Sequence, residues 1–148
     1  MSEVKISGPY SVTDFANTIR SRGRRLTPQR QVILDAVRKV SGHSTPDEIY
    51  TRVHAKNPAI SRATIYRTLD FLCELRLVVA MQWGGQMYYE AAGRQPHHHL
   101  VCRNCGSIEL LDHMLLKTMF KTIDKKYEFC VDMDHVALFG LCADCRKK

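Results

Sequence analysis

The sequence predicts an α+β fold in two parts that meet near residue 91. The first part contains successive amphipathic segments with helix start signals, followed by two β-rich runs around a glycine pair. The second part alternates β-rich runs with one amphipathic segment and carries two Cys-x-x-Cys pairs. These features predict an N-terminal winged helix-turn-helix and a small C-terminal α/β domain with a four-cysteine zinc site.

Four helices are predicted in the first part. The first runs from about Val12 to Arg22 and ends at Gly23. In "LTPQRQVILDAVRKV", Thr27 is placed to cap a second helix that opens with Pro28. The apolar residues of this second helix recur at helical spacing: Val32, Ile33, Ala36, Val37 and Val40.

The third and fourth helices carry start signals of the same kind. Thr45 caps "STPDEIYTRVHAKNP", where Glu48 is placed for a capping box and the Asn57-Pro58 pair ends the helix. Ser61 caps "SRATIYRTLDFLCEL". The apolar face of this fourth helix is predicted from three residues at helical spacing: Ile65, Leu69 and Leu72.

A β-hairpin follows the helices. The segment "LVVAMQWGGQMYYEA" places two β-rich runs around Gly84-Gly85, which is a hairpin signal. Helices followed by such a hairpin describe a winged helix-turn-helix, a DNA-binding architecture. We therefore predict a DNA-binding domain over 1–90, a hinge or linker over 91–96 ("AAGRQP") and a second domain over 97–148.

The second part is predicted as a small α+β unit. It reads as strands at about 98–102 and 107–111, a helix over 112–127, and strands at 127–133 and 135–141. The helix places Leu115, Leu116, Met119, Phe120 and Ile123 on one side. A unit of this size commonly needs a metal or a partner chain for stability.

Length and charge bound the class of protein. The chain has 148 residues and a formal net charge of +7. Residues 1–90 carry 13 Lys/Arg against 8 Asp/Glu, so the first part is the better candidate for binding nucleic acid. No apolar signal core or membrane-length run occurs, and we expect a cytoplasmic protein with neither a membrane nor a small-molecule substrate as partner.

The cysteine spacing predicts a structural zinc site. Cys102-x-x-Cys105 and Cys142-x-x-Cys145 are separated by 36 residues, and each pair supplies two thiolates suited to tetrahedral Zn²⁺. Four thiolates leave no open coordination position, so the zinc is expected to be structural. The alternative is two unrelated redox or buried cysteine pairs. Two further cysteines in apolar surroundings are predicted to be core residues: Cys73 and Cys130.

The histidine run "HHH" lies on a predicted strand. Side chains alternate across a strand, so His97 and His99 share a face and His98 points the other way. Two histidines make half a metal site, and further ligands must come from elsewhere. The candidates are carboxylates and the remaining histidines: His43, His54, His113 and His135.

A site of His43, Glu90, His97 and His99 would bridge the two parts of the chain. The alternative is that these are solvated or core histidines. His54 and His113, single residues on helices, are expected to be solvated or core.

The chain resembles the ferric uptake regulator (Fur) family of bacterial metal-responsive repressors over nearly its whole length. The resemblance rests on "RGRRLTPQRQVIL", "GHSTPDEIY", "ISRATIYRTLDFL", "HHHLVCRNCG" and "GLCADC". It implies an N-terminal winged-helix domain and a C-terminal α+β dimerisation domain. It also implies structural zinc on the four paired cysteines and a regulatory metal site on four residues: His43, Glu90, His97 and His99.

The resemblance also implies the DNA contacts. The base-contacting pair falls on Tyr66 and Arg67, and Arg25 matches a basic residue that enters the adjacent minor groove. Helical periodicity places Ala63, Tyr66, Arg67 and Asp70 opposite the apolar face of the fourth helix. The alternative for these residues is an ordinary exposed helix face.

The sequence departs from the family pattern at an additional inter-domain metal site. Its positions hold Pro96, His98, Lys117 and Asp134, with His135 displaced by one. We expect this site to be incomplete because a lysine is not a ligand at neutral pH. His98 is expected on the solvated surface.

These observations predict a homodimeric repressor that binds an A·T-rich palindromic operator in double-stranded DNA when a divalent metal is bound. Donors of nitrogen and oxygen only suit Fe²⁺ or Mn²⁺, although affinity order favours Zn²⁺. Iron sensing is expected first, zinc sensing second and peroxide sensing third. Two other classes are considered: a small metallohydrolase, for which no catalytic motif is found, and a zinc/DNA protein without sensing.

Overall fold

The computed structural model describes residues 12–40, 42–93, 96–131 and 135–147. The chain divides between Ala92 and Gly93 into two compact units. None of the helices within these ranges is long and apolar enough to cross a lipid bilayer.

Four helices lie in the described part of the N-terminal unit. They are α1 (Val12–Ser21), α2 (Pro28–Arg38), α3 (Pro46–Lys56) and α4 (Arg62–Glu74). Their start signals act as predicted: the Thr27, Thr45 and Ser61 hydroxyls accept backbone N–H groups in the first turns of α2, α3 and α4. At α3 the capping box is complete, because the Glu48 carboxylate accepts the Thr45 N–H at 2.8 Å.

A single hydrophobic core holds these helices together. All four helices and the hairpin contribute to it, with Phe15, Leu34, Ile49, Leu69 and Val78 among its members. The predicted apolar face of α4 is buried in this core at Ile65, Leu69 and Leu72. Packing of α3 and α4 on this core leaves the opposite face of α4 exposed.

A hairpin completes the N-terminal unit. Strands β1 (Val78–Trp83) and β2 (Gln86–Ala91) pair antiparallel, with Trp83 opposite Gln86. Gly84 and Gly85 form the two-residue turn with φ of 58° and 77°. Positive φ at both positions is the turn geometry that matches the twist of the strands, and glycine adopts it without strain. The predicted winged helix-turn-helix is confirmed.

The C-terminal unit is a three-stranded sheet with two helices. The strands are β3 (His97–Cys102), β4 (Ile108–Leu111) and β5 (His135–Gly140), and the helices are α5 (His113–Tyr127) and α6 (Ala143–Arg146). The strand order is β4-β3-β5, with β3 and β4 antiparallel and β3 and β5 parallel. A parallel neighbour requires a crossover connection, which α5 supplies.

Two details of this unit differ from prediction. The prediction of a strand over 127–133 is wrong for residues 127–131, because α5 continues to Tyr127 and an irregular segment follows it. Residues 132–134 lie outside the described residues. The predicted apolar side of α5 is only partly buried. Leu116 and Phe120 are buried, whereas Leu115 and Met119 are 69% and 41% exposed.

Candidate metal centres and nucleic-acid surface

The four paired cysteines meet at one edge of the C-terminal sheet. Cys102 ends β3 and pairs with Gly140 at the end of β5. Cys142 follows β5 by two residues and is the N-cap of α6, the helix that carries Cys145. Parallel strands end at the same edge of a sheet, so the pairing of β3 with β5 brings the two cysteine pairs together.

The sulfur geometry fits a tetrahedral Zn²⁺ ion. One sulfur from each of the four cysteines lies within 4.8 Å of all the others. Cys105 Sγ and Cys142 Sγ are 3.7 Å apart. Zinc–sulfur bonds of about 2.3 Å in a tetrahedron place sulfur pairs about 3.8 Å apart. Because all four donors are thiols, the residues would hold zinc structurally, with no position left for a substrate.

The protonation of these thiols shows what a cation adds. Backbone N–H groups of Cys105 and Cys142 lower the pKa of Cys102 to about 6. A hydrogen bond from the Asn104 amide lowers the pKa of Cys145. The interaction of Cys145 with the Cys142 thiol, together with burial, outweighs that effect and raises the pKa of Cys145 to about 12. Polar backbone groups therefore favour the thiolate at Cys102, whereas the neighbouring thiols and burial oppose it at Cys145. A divalent cation stabilises all four thiolates together.

The two remaining cysteines behave differently from each other. Cys73 is half-buried against the core of the N-terminal unit, and burial raises the pKa of its thiol to about 11. It is an inert packing residue, as predicted. The prediction that Cys130 is a core residue is wrong: it is exposed, in the irregular segment that follows α5.

His97 and His99 lie on one face of the C-terminal sheet, and His135 joins them. The ring centroids of His97 and His99 are 5.2 Å apart. The His135 ring lies 5.2 Å from that of His97 and 4.7 Å from that of His99. The sequence names His135 only among possible ligands, because nothing local indicates that β5 pairs parallel with β3.

His98 points to the opposite face, as strand parity predicts, but its expected exposure is wrong. The residue is fully buried beneath α5, where its ring lies 5.7 Å from that of Phe120. Its Nδ1 accepts the Val136 N–H at 3.1 Å, and its Nε2 lies 2.9 Å from His113 Nδ1. Burial, followed by repulsion from His113, lowers the pKa of His98 to about 4. Both histidines are structural here; Asp134 lies outside the described residues.

His43 and Glu90 form a second group of donors, in the N-terminal unit. His43 Nε2 lies 3.2 Å from Glu90 Oε2. Ser44 and Tyr89 exchange two backbone hydrogen bonds of 2.9 and 2.8 Å, which places the residues beside them next to each other. Arg52 on α3 secures this arrangement by donating to Ser44 Oγ at 3.0 Å. An isolated bridge of this kind has no sequence signature.

The exposed face of α4 carries the residues predicted to contact DNA. Ala63, Tyr66 and Arg67 are exposed, and Tyr66 shows 43% of its surface to solvent. Arg62, in the first turn of α4, lies over the Tyr50 ring of α3 at 4.0 Å and also pairs with Asp47. These contacts fix the start of α4 against α3.

Arg25 is exposed in the segment before α2, and its backbone is held from that helix. Arg30 donates to the Arg25 carbonyl at 2.7 Å. The Arg30 guanidinium also lies over the Phe71 ring of α4, 3.8 Å from its centroid. Arg30 therefore ties the segment that carries Arg25 to α4.

A family model described as the ferric uptake regulator family matches residues 21–139. The chain belongs to the ferric uptake regulator family. This membership confirms the resemblance stated from the motifs, and this Fur-family protein is a metal-responsive transcriptional repressor. The family consists of regulators rather than enzymes.

Relatives of two kinds match this Fur-family protein equally well. The ferric uptake regulation protein of Campylobacter jejuni is 30% identical over 137 residues, which cover 90% of this chain and 87% of that protein. The peroxide-responsive repressor PerR of Staphylococcus saprophyticus is 30% identical over 139 residues, 94% of each chain. The solved structure of the Helicobacter pylori ferric uptake regulator superimposes with a TM-score of 0.71 at 22% identity, covering 93% of this chain and 92% of that one, and supports the fold.

Proposed function

We propose that this protein is a cytoplasmic, homodimeric repressor whose operator binding depends on a divalent metal. The proposed regulatory ligands are His43, Glu90, His97 and His99. The proposed DNA contacts are made by Arg25, Ala63, Tyr66 and Arg67. The proposed hinge between the two units is the segment 91–96, of which Ala91 is the last residue of β2 and residues 94–95 lie outside the described residues.

The observation that carries the proposal is that each unit assembles part of the ligand set. In the N-terminal unit, His43 and Glu90 are brought to 3.2 Å by the Ser44–Tyr89 bridge. In the C-terminal unit, the rings of His97 and His99 share one sheet face. Imidazole and carboxylate are donors for divalent transition metals. A metal that bound ligands from both units would couple the arrangement of the two units.

Coupling of the units explains metal-dependent repression. When bound, a divalent cation supplies a common centre for ligands from both units. His43 and Glu90 belong to the unit that carries α4, so their coordination favours particular orientations of that helix. DNA affinity then rises because the DNA-competent arrangement is more populated. The free energy of this shift cannot exceed the difference in metal-binding free energy between the two arrangements.

Iron is the first candidate metal. The proposed ligands are three imidazoles and one carboxylate, with no thiol among them, and this donor set suits Fe²⁺ or Mn²⁺. Zn²⁺ binds such sites more tightly in a test tube, so metal availability has to contribute to selection in the cell. Zinc sensing is therefore the second candidate.

Peroxide sensing is a further candidate function, favoured by the PerR relative at 30% identity. In that case His43, His97 and His99 would hold iron together with Glu90, and peroxide would supply the oxygen atom gained by one of these imidazoles. Peroxide treatment of the Fe²⁺ form followed by peptide mass spectrometry tests this. A gain of one oxygen on His43, His97 or His99 supports peroxide sensing, and unmodified histidines exclude it.

The homodimer is proposed to form through the C-terminal unit. Within the described residues β5 is an edge strand that exposes Leu138 and Phe139, 40% and 38% of their surfaces. An edge strand with exposed apolar residues is a template for pairing with another chain. The same unit exposes further large apolar residues: Leu115, Met119, Tyr127, Phe129 and Leu141.

Operator binding under controlled metal tests the proposed function. The probe is an A·T-rich palindromic duplex recovered by in vitro selection, and fluorescence anisotropy is followed during anaerobic titration with Fe²⁺, Mn²⁺ or Zn²⁺ while the cysteine zinc stays in place. The wild type should gain at least about tenfold in affinity, since allosteric coupling is typically about 5- to 150-fold. The double variant His97→Ala/His99→Ala should not.

A matched control keeps this experiment specific. His54 is exposed on α3, stacks on Tyr50 and is not one of the proposed ligands. The variant His54→Ala should keep the metal response. Metal-dependent binding that survives in the double variant contradicts the proposal and favours a zinc/DNA protein without sensing.

A further inference from the structure

The face of the C-terminal sheet that carries His97 and His99 has a third potential ligand. In a sheet, directly paired residues on neighbouring strands point to the same side. His135 on β5 pairs with His97, and Leu110 on β4 pairs with His99. The β4 neighbour therefore offers only an apolar side chain, whereas the β5 neighbour offers an imidazole.

The spacing of the three rings suits a single ion. Metal–nitrogen bonds of about 2.1 Å place ring centroids about 4.6 Å apart at right angles and about 5.3 Å apart in a tetrahedron. The three centroid distances are 5.2 Å, 5.2 Å and 4.7 Å. Ring nitrogens of His99 and His135 also lie within 4.8 Å of each other. All three residues belong to one unit, so the sheet alone sets this spacing.

We propose that His135 is a direct ligand of the regulatory metal, so that the C-terminal unit supplies three imidazoles to it. This inference rests on the proposed function, because it adds a ligand to the same site. Position 135 has this role because β5 is parallel to β3 and in register with it, which sets His135 beside His97.

The added imidazole determines which metals the site prefers. With His135 the donors are four imidazoles and the single carboxylate of Glu90. Nitrogen-rich sets favour Fe²⁺, Co²⁺ and Zn²⁺ over Mn²⁺, which is served better by carboxylate oxygens. His135 is therefore a specificity-determining residue that disfavours manganese.

Metal titration of the 148-residue chain tests the proposal without relying on DNA binding. Co²⁺ is added to protein that retains its cysteine zinc, and binding is followed by calorimetry and by the visible ligand-field absorption. Loss of a residue that only supports a metal ligand lowers metal affinity roughly 10- to 100-fold. His135→Ala removes a direct ligand, so it should lower Co²⁺ affinity by at least that factor and should alter the Co²⁺ spectrum. Mn²⁺ affinity should fall less.

A replacement ligand separates coordination from folding. His135→Asp restores a donor of different chemistry, and it should bind Mn²⁺ more tightly than His135→Ala while its Co²⁺ spectrum differs from the wild type. Zinc content and circular dichroism establish that each variant is folded. His54→Ala serves as the matched histidine control and should titrate like the wild type.

The outcomes distinguish the two proposals. If His97→Ala and His99→Ala abolish Co²⁺ binding while folded His135→Ala keeps wild-type affinity and spectrum, the role of His135 is overturned and the proposed function stands. If none of the three substitutions changes Co²⁺ binding, the regulatory site itself is overturned. Equal loss of Co²⁺ and Mn²⁺ affinity in His135→Ala contradicts the specificity role.

Discussion

At the scale of single residues, equivalent side chains in this protein differ by environment. Of the six cysteines, four converge at one end of the C-terminal sheet, Cys73 packs against a core and Cys130 is exposed. Hydrogen bonding at Cys102 and burial at Cys73 move their thiol pKa values in opposite directions. The four thiols suited to zinc are thus distinguished by their convergence, and Cys102 among them also by polar backbone groups aimed at its sulfur.

Substitution of one zinc ligand should destabilise the C-terminal unit. We expect Cys142→Ser to abolish the single zinc bound per chain and to lower its melting temperature by on the order of 10 °C or more, because metal binding contributes folding free energy in small domains. Zinc content by mass spectrometry and calorimetric melting measure this. Cys130→Ser is the matched control; a comparable loss of zinc in that variant would contradict the assignment.

His98 should make stability depend on pH. Its pKa is about 4 in the folded protein and about 6.5 when unfolded, so the unfolded state binds the extra proton between these values. Its contribution is complete above about pH 6.5 and is lost as the pH falls toward 4. In urea unfolding between pH 5 and 7.5, the free energy of unfolding of His98→Asn should fall less steeply toward acid than that of the wild type. An unchanged slope would show that another group is responsible.

At the scale of secondary-structure elements, α4 combines two surfaces with separate functions. Ile65, Leu69 and Leu72 hold it in the core, and Arg62 fixes its first turn on α3. Tyr66 and Arg67 remain exposed on the other side. A recognition helix needs this combination, because base contacts require a rigid backbone and free side chains.

Substitutions on the exposed face should weaken operator binding without unfolding the protein. Tyr66→Ala and Arg67→Ala should each reduce affinity by roughly 5- to 150-fold, the range of about 1–3 kcal/mol for a base contact. If Arg67 contacts phosphate instead, the slope of log K against the logarithm of the salt concentration should become less negative by about one in Arg67→Ala. The charge-matched control is Lys121→Ala, exposed on α5; equal loss there would indicate non-specific electrostatics.

At the scale of the whole molecule, the two units have different requirements for stability. The N-terminal unit buries a contiguous core drawn from four helices and a hairpin. The C-terminal unit exposes large apolar residues on α5, β5 and the segment after α5. A structural metal and a partner chain are two means by which a unit of this size gains stability.

The proposed dimer should depend on β5 and not on β4. Phe139→Lys, placed in the β5 edge, should weaken self-association at least about tenfold, since a charge on an edge strand opposes pairing. Sedimentation velocity over a concentration series measures this. Ile108→Lys provides the control, because Ile108 is also 38% exposed but lies on β4, at the other edge. Equal dissociation of both variants would argue against the β5 interface.

Much of the fold could be predicted because its signals are local. Thr27, Thr45 and Ser61 cap their helices as expected, and the Gly84-Gly85 turn gives the predicted hairpin. Alternation along β3 correctly separates His98 from His97. Predictions that depended on neighbours in space were less accurate. The apolar neighbours of Cys130 predict a core position, the departure from the family pattern predicts an exposed His98, and the β-rich run after α5 predicts a strand; the structure contradicts all three.

Local sequence patterns suffice to predict the starts of the helices, the side of β3 on which each histidine lies and the residues able to hold zinc. Which of these residues meet depends on how the chain packs. The parallel register of β3 and β5 unites the two cysteine pairs and sets His135 beside His97. The bridge between Ser44 and Tyr89 brings His43 to Glu90. Caps and turns act within a few residues, whereas strand register is selected by packing across the whole crossover, which no local pattern encodes.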